Sequence, residues 1–176
     1  NAFPQFITAA TDSHAVKVVG GVKYYYFVDG DALPAGTVQL TRKLYRYNNE
    51  RATWEPVQDQ ASLTMAEKLR VVLTIHTPRP LQYVLIDEKR AAACEPLDVA
   101  SGYEYGNGLG YYKSIRDNGM LFFAAKVPAG TSEISYECKI AKAGTFNWGP
   151  ASLSCMYKPE LSGYSNSFSI TIPKQQ

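Results

Sequence analysis

The clearest structural signal in this 176-residue chain is the stretch Leu69-Arg70-Val71-Val72-Leu73-Thr74-Ile75-His76. Because side chains alternate between the two faces of a β-strand, every second residue from Leu69 to Ile75 lies on one face, and all four are apolar. A period of two predicts a strand with one face in a hydrophobic core and a mixed face opposite.

The same alternation recurs on both sides of this stretch. Ser132–Ile140 places Ile134, Tyr136, Cys138 and Ile140 on one face, and Phe168–Ile172 alternates apolar and hydroxyl residues until Pro173 blocks further pairing. Further predicted strands cover residues 22–28, 38–47, 111–115 and 151–157. The strongest hairpin signal between them is Asn118-Gly119. No segment has the length and period of a major helix, so we predict an all-β fold, an antiparallel two-sheet sandwich, with a barrel second.

Two stretches are apolar without alternation, Tyr83–Ile86 and Met120–Phe123. Such strands are typically covered on both faces, here by a second sheet or by a neighbouring domain. We expect residues 1–20 to be a linker or the end of a preceding domain, and residues 21–176 to form one β-sandwich domain. Asn1 is not an initiator Met, which suggests a mature form or an excised piece.

Composition excludes several classes of function. The chain has 18 Lys and Arg against 16 Asp and Glu, a net charge of +2, which gives little attraction to nucleic acid or an acidic membrane. Apolar runs such as Tyr24–Val28 are far shorter than the roughly 20 residues that cross a bilayer. Hydrophobic residues at 45% and charged residues at 19% are typical of a folded globular chain.

Residues that could carry chemistry are few. His14 and His76 are the only histidines, and neither has the spacing of a metal or catalytic site. Ser152 and Ser154 have no recognisable base, and the glycine-rich stretch Gly106–Gly110 is followed by Tyr111-Tyr112, which indicates a turn. Asp29-Gly30-Asp31 lacks the other ligands of a calcium loop. The sequence therefore predicts no catalytic residue, no metal site and no cofactor.

Carboxylates and thiols leave alternatives open. A hydrolase would need two carboxylates facing each other, and the candidates are Glu95, Asp98, Glu104 and Asp117. Cys94 falls in an expected loop, whereas Cys138 and Cys155 fall on inward positions of their strands and are typical of small core residues. Three pairings of these cysteines are possible, and a Cys138–Cys155 disulfide is conceivable.

Tyrosine is abundant, with 13 residues. A run such as Tyr24-Tyr25-Tyr26 cannot bury every ring in one core, so some aromatic surface is expected to meet another module. Tyr103, Tyr105, Tyr111, Tyr112, Tyr157 and Tyr164 belong to the same candidate set. A carbohydrate- or ligand-binding surface is therefore an alternative function to a protein contact.

Three stretches in the second half carry a family resemblance. They are Tyr83–Asp87 with Ala92–Pro96; Gly110–Asp117 with Phe122-Phe123 and Val127–Gly130; and Gly144–Phe146 with Pro150-Ala151 and Met156–Glu160. Their order and spacing, from about Gly21 to Ser167, resemble the C-terminal macroglobulin-like domain of bacterial alpha-2-macroglobulin family proteins, particularly those of Bacteroidetes.

The resemblance implies a non-catalytic sandwich, macroglobulin-like and similar to fibronectin type III domains, in a long periplasmic or cell-surface protein. Its partners would be neighbouring domains of the parent chain and, through the parent, target proteases. In relatives with a reactive thioester, a Met-Tyr loop of this domain shields that bond from water, a role that falls here on Met156 and Tyr157, with Pro159 beside them. The thioester motif Cys-x-Glu-Gln is absent from these residues. Relatives commonly have a small residue where Cys94 stands.

Overall fold

The computed structural model describes residues 38–57 and 63–174, together with the backbone of Ala10–Thr11 and His14–Ala15. All regular structure in these residues is β-strand, which confirms the predicted fold class. In chain order the strands are β1 (Ala10–Thr11), β2 (His14–Ala15), β3 (Gln39–Asn48), β4 (Thr53–Pro56), β5 (Lys68–Thr77), β6 (Leu81–Lys89), β7 (Cys94–Pro96), β8 (Gly102–Gly106), β9 (Leu109–Arg116), β10 (Gly119–Val127), β11 (Gly130–Ile140), β12 (Gly144–Trp148), β13 (Ser152–Cys155), β14 (Lys158–Tyr164) and β15 (Phe168–Ile172).

The strands form two large antiparallel sheets. Sheet I has the order β14-β13-β6-β10-β9-β8, and sheet II has the order β4-β3-β5-β11-β7. Strands β12 and β15 pair with each other, as do β1 and β2. Within the described ranges no helix has the length and apolar character needed to cross a membrane.

The core lies between sheets I and II. All four apolar residues of the stretch Leu69–Ile75 are fully buried, as the alternation predicts. The sheets meet at the rings of Phe122 in β10 and Tyr136 in β11, whose centroids are 6.4 Å apart. Full burial stabilises each aliphatic side chain by about 1.5–3 kcal/mol, so this shared core is the main source of stability.

A fully buried ion pair joins the two sheets. The Arg42 guanidinium of β3 donates to both carboxylate oxygens of Glu88 in β6 at 3.1 Å. Glu88 also accepts hydrogen bonds from the Tyr136 hydroxyl at 3.0 Å and the Trp148 indole at 3.1 Å. Arg42 in turn donates to the backbone carbonyls of Trp148 and Asn166.

Burial and ion pairing act in opposite directions on the pKa of Glu88. Burial raises the pKa of its carboxyl, while the Arg42 charge and the hydrogen bonds from Trp148 and Tyr136 lower it. A buried charge that loses its partner is strongly destabilising, so the pair makes the two sheets depend on each other. Sequence reasoning singled out neither Arg42 nor Glu88, because each stands beside other charged residues, Arg42 next to Lys43 and Glu88 within Asp87–Arg90, and the sequence does not show which of these charges is buried.

Several predicted boundaries are corrected. Cys94 lies in β7, not in a loop, because its segment pairs with β11. The predicted strand over residues 151–157 ends at Cys155, and Met156 and Tyr157 form a turn. The turns at Asn118-Gly119 and within Gly106–Gly110 are confirmed as hairpin connections. The predicted strand at residues 22–28 and the Asp29–Asp31 turn lie outside the described residues.

Gly163 allows β3 to cross from sheet II to the edge of sheet I. The Val38 amide donates to the Ser162 carbonyl at 3.0 Å. A Cβ atom on Gly163 would lie 2.1 Å from the Val38 carbonyl oxygen, which is closer than atoms can approach. This crossing therefore requires glycine.

Removing the Glu88 carboxylate tests the ion pair. We expect Glu88→Ala to lower the free energy of unfolding by about 3–5 kcal/mol, because Arg42 would stay buried without its partner. Asp87→Ala is the matched control, since Asp87 pairs with the half-exposed Lys89, and should cost no more than about 1 kcal/mol. Equal losses in urea unfolding would contradict the structural role of the pair.

The second prediction concerns the crossing of β3. Gly163→Ala should lower the free energy of unfolding by about 1–3 kcal/mol, because the added methyl displaces the Val38 backbone. Gly106→Ala is the control, since a Cβ there meets no atom within 4 Å. Thermal unfolding compares the two variants, and a Gly163→Ala protein as stable as Gly106→Ala would argue against the crowding.

Candidate functional site

Met156 and Tyr157 form the two-residue turn between β13 and β14. Cys155 and Lys158 are cross-strand partners on either side, next to a register shift between Ser154 and Cys155. Leu153 and Cys155 point into the core, which anchors the turn, whereas Met156 is 56% exposed and Tyr157 is 76% exposed. In the predicted strand over residues 151–157, alternation would have turned one of these two side chains inward, but β13 ends at Cys155 and both side chains point outward.

Tyr83 in β6 supports this turn. The Met156 amide donates to the Tyr83 carbonyl at 2.8 Å, and the rings of Tyr83 and Tyr157 are perpendicular with centroids 5.1 Å apart. Tyr83 has a φ of 51°, a left-handed conformation that is uncommon for a residue with a side chain. Backbone strain of this kind persists only where surrounding contacts impose it. We call Tyr83, Met156 and Tyr157 the tip.

Two depressions flank the tip. A groove of about 220 Å³ is lined by Met156 together with Tyr83, Tyr103, Tyr112 and Phe123. A cleft of about 450 Å³ lies beside Tyr157, where Arg79 and Lys158 place two positive charges. Tyr83 lines both depressions. The tip thus projects between an apolar groove and a cationic cleft.

The groove continues as an apolar row across the outer face of sheet I. Direct cross-strand partners form this row, in the order Tyr103, Tyr112, Phe123 and Leu85. Tyr103 is 86% exposed, and its ring meets that of Tyr112 edge-on at 5.0 Å. The continuously apolar stretches Tyr83–Ile86 and Met120–Phe123 therefore have one face in the core and an outer face that remains partly open in this chain.

Pro159 lies next to the tip in the edge strand β14 and is exposed. Proline has no amide hydrogen, so it is tolerated at a sheet edge but removes one ladder hydrogen bond there. Together, the tip and Pro159 present a thioether, two phenol rings and a pyrrolidine. Such a surface can exclude water and form a hydrogen bond through a hydroxyl, but it contains no acid, base or nucleophile.

The other candidate residues do not assemble a reactive site. His76 is exposed at the end of β5 with its Nδ1 3.2 Å from the Thr131 hydroxyl. Ser152 and Ser154 lie on the half-buried outer side of β13. His14 lies in β2, where the structure gives only the backbone. Among the described residues, no group of three histidine, cysteine or acidic side chains has metal-binding geometry.

Two of the candidate carboxylates do come together, at Lys113. The buried Lys113 ammonium contacts Asp98 and Glu104, and the Tyr111 hydroxyl donates to Glu104 at 2.9 Å. Burial acts to lower the pKa of Lys113, but its hydrogen bonds and ion pairs with both carboxylates outweigh this and raise it. The same contact lowers the pKa of Asp98. Both carboxylates are thus tied to a permanent cation, which suits structure better than proton transfer.

The three cysteines are buried free thiols. The Cys138–Cys155 disulfide is therefore not present, and the two residues lie in different sheets, Cys138 in β11 and Cys155 in β13. Cys94 is the cysteine beside Cys138, since β7 pairs with β11.

Solved structures place this fold in a known context. The chain resembles part of a Salmonella alpha-2-macroglobulin mutant, with a TM-score of 0.61 and 14% identity over 78% of this chain and 9% of that one. It also resembles trypsin-activated alpha-2-macroglobulin from Escherichia coli, with a TM-score of 0.63 and 10% identity over 80% of this chain and 11% of that one.

A third similar structure is native Escherichia coli alpha-2-macroglobulin from domain MG7 to the C-terminus, with a TM-score of 0.59 and 12% identity. The match covers 78% of this chain and 24% of that one. The chain thus spans no more than about a quarter of any of these three structures. No curated protein sequence matches it.

These likenesses show the fold of the chain, a macroglobulin-like β-sandwich. The particular family follows from the sequence itself, since the profile described as "Bacterial Alpha-2-macroglobulin MG10 domain" matches residues 22–160. The chain belongs to this family.

The exposure of the tip predicts that it contributes little to the stability of the domain. Met156→Ala and Tyr157→Ala should each change the free energy of unfolding by less than about 1 kcal/mol, the usual range for surface positions. Leu153→Ala, two residues before Cys155 and fully buried, should lose about 2–5 kcal/mol. Chemical denaturation of the three variants would contradict the outward placement if the tip variants lost as much as Leu153→Ala.

Proposed function

We propose that this domain is a non-catalytic contact domain of a longer bacterial alpha-2-macroglobulin-like protein. Its tip packs against a neighbouring domain of the parent chain, stabilises the resting assembly and thereby supports protease inhibition. The observation that carries the proposal is the rigid outward projection of Met156 and Tyr157 from the core-anchored hairpin β13–β14.

Physical chemistry favours a contact role for this surface. Exposed methionine and tyrosine side chains are unfavourable in water but are enriched at interfaces, where apolar area is covered and the hydroxyl finds a partner. Tyr83 stabilises the turn by accepting a backbone hydrogen bond from Met156 and by packing its ring against that of Tyr157. Preorganisation of this kind reduces the entropy that is lost when the surface docks.

Chemical considerations also favour a passive role. The carboxylates that come close to each other are bound to Lys113, and the tip contains no carboxylate, histidine, lysine or cysteine. In relatives with a thioester, a shield against water needs only bulk and close packing, which a thioether and a phenol ring supply. Whether covalent trapping occurs in the parent depends on a Cys-x-Glu-Gln motif elsewhere in that chain.

We further propose that the parent protein resides in the periplasm or at the cell surface, where proteases from outside would be met. The partners of this domain are then other domains of its own chain, and target proteases interact with the assembled parent. This role requires no binding to nucleic acid and no insertion into a membrane, and a net charge of +2 gives little attraction to either.

The test is limited proteolysis of the full-length parent carrying both Met156→Ala and Tyr157→Ala. Two truncated anchors should weaken the docked state by roughly 1–2 kcal/mol each, which is about tenfold or more in the rate of cleavage at the domain junction. Tyr105→Ala is the matched control, since Tyr105 is 80% exposed at the opposite edge of sheet I.

Cleavage of the double variant at the rate of the unaltered parent would reject the contact role. A parent with Tyr105→Ala should be cleaved at the unaltered rate, because its side chain lies in β8, five strands from β14 in sheet I. Acceleration by Tyr105→Ala as large as that of the double variant would show that the effect is not specific to the tip.

A carbohydrate-binding surface is the second candidate, and the open row from Tyr103 to Leu85 is the observation that favours it. Aromatic rings on an exposed sheet face can stack on sugar rings. A glycan array with the isolated chain separates the two proposals. The contact role predicts no selective binding, whereas binding that is lost in Tyr103→Ala would support the carbohydrate role.

A further inference from the structure

The pair Cys94 and Cys138 occupies neighbouring strands of sheet II. Cys94 is directly opposite Ile140, and Cys138 is directly opposite Pro96, so the two cysteines are diagonal neighbours on one face of the β7–β11 ladder. Both are almost completely buried, at 4% and 0% exposure. The Cys94 thiol raises the pKa of Cys138, as expected of side chains that lie beside each other in the core. This placement is independent of the tip and of the function proposed for it.

We propose that Cys94 and Cys138 form a disulfide site that fastens the edge strand β7 to β11 when a thiol–disulfide oxidant is present. Diagonal neighbours in an antiparallel sheet lie about 7–8 Å apart at their Cα atoms, and a disulfide spans about 4.4–6.8 Å. Because the strands are already at hydrogen-bonding distance, bond formation requires β7 to slide along β11 by about 1 Å. The reduced and oxidised chains differ at this edge.

The fold makes this small movement feasible at β7. The strand has only three residues, lies at the edge of sheet II and pairs on one side only. The Leu97 amide after it still donates to the Glu137 carbonyl of β11 at 3.0 Å, but the side chains of Leu97 and Val99 are substantially exposed, so the chain leaves the core soon after β7. Cys138, by contrast, belongs to an eleven-residue strand between two neighbours and stays in place.

A positive charge lies beside the two thiols. The Arg90 side chain donates to the Cys94 carbonyl at 2.9 Å and to the Asp117 carbonyl at 2.8 Å, while its buried Nη1 atom has no partner. The neighbouring Cys94 thiol and burial raise the pKa of Cys138 well above its usual value, and the Arg90 charge opposes only part of that rise. Because the thiolate is the nucleophile in exchange, Cys138 reacts poorly inside the folded core and is expected to react before the core closes.

The chemistry is a balanced exchange of two electrons. The Cys94 thiolate attacks one sulfur of a disulfide oxidant and releases one thiol, which takes up the proton that Cys94 lost. The Cys138 thiolate then attacks the Cys94 sulfur of the mixed disulfide and releases the second thiol with the second proton. The two cysteines are oxidised to one disulfide, and the oxidant is reduced to two thiols.

Cys155 provides an internal control for this site. It is buried in β13 of sheet I, and burial raises the pKa of its thiol. The sequence also separates the three thiols, since trypsin cleaves after Lys and Arg but not before proline, as at Lys158-Pro159. It places Cys94 in residues 91–113, Cys138 in residues 127–139 and Cys155 in residues 143–174. A linked pair of peptides therefore identifies the bond without ambiguity.

The experiment refolds the chain from urea in a buffer of oxidised and reduced glutathione, because both thiols are accessible before the core closes. The product is then unfolded without reductant and labelled with a maleimide. We expect one label per chain, on residues 143–174, and a disulfide between residues 91–113 and 127–139. The oxidised chain should melt about 5 °C or more above the reduced chain.

Variants separate the site from other pairings. Cys155→Ala should still form the bond and gain the same melting temperature, whereas Cys94→Ala should keep two free thiols and gain nothing on oxidation. Three labelled thiols in the unaltered chain after refolding would overturn the proposal. A disulfide that includes residues 143–174, or one that joins two chains, would overturn it as well.

Discussion

The ion pair between Arg42 and Glu88 is the constraint on which the rest of the domain depends. It joins β3 of sheet II to β6 of sheet I, and through Trp148 and Asn166 it also holds the chain that runs into and out of the β12–β15 pair. Hydrophobic burial alone would let two sheets slide over each other at little cost. A buried pair with its own set of hydrogen bonds tolerates only one alignment, so it specifies the register in which the sheets pack.

This alignment also positions the tip. Glu88 and Tyr83 belong to the same strand, β6, and β6 pairs directly with β13, which ends in Met156 and Tyr157. A shift of β6 would move the Tyr83 carbonyl away from the Met156 amide. The strand β6 therefore contributes Glu88 to the polar network of the core and Tyr83 to the apolar surface outside it.

Much of this arrangement could be predicted from sequence, because alternation reports burial directly. The stretch Leu69–Ile75 and the strand Ser132–Ile140 were predictable for that reason, and so was the hairpin at Asn118-Gly119. Arg42 was not, since β3 also carries Lys43 and Arg46, and the sequence alone does not show which of these charges meets a buried partner and which meets water. Nor was Tyr83, because its left-handed backbone is imposed by contacts from β13. The outward position of Met156 and Tyr157 depends on where β13 ends. The register shift between Ser154 and Cys155, next to that end, cannot be predicted from composition.

Pro159 has a further consequence for how this surface can change over time. A sheet edge normally offers its backbone to any extended peptide, which makes recognition indifferent to side chains. With no amide hydrogen at residue 159, the edge beside Met156 and Tyr157 is a poor template for strand addition. A partner must then recognise the shape and chemistry of these side chains. Matched substitutions of two or three surface residues, here and in the partner, would therefore be enough to change the binding specificity without changing the fold.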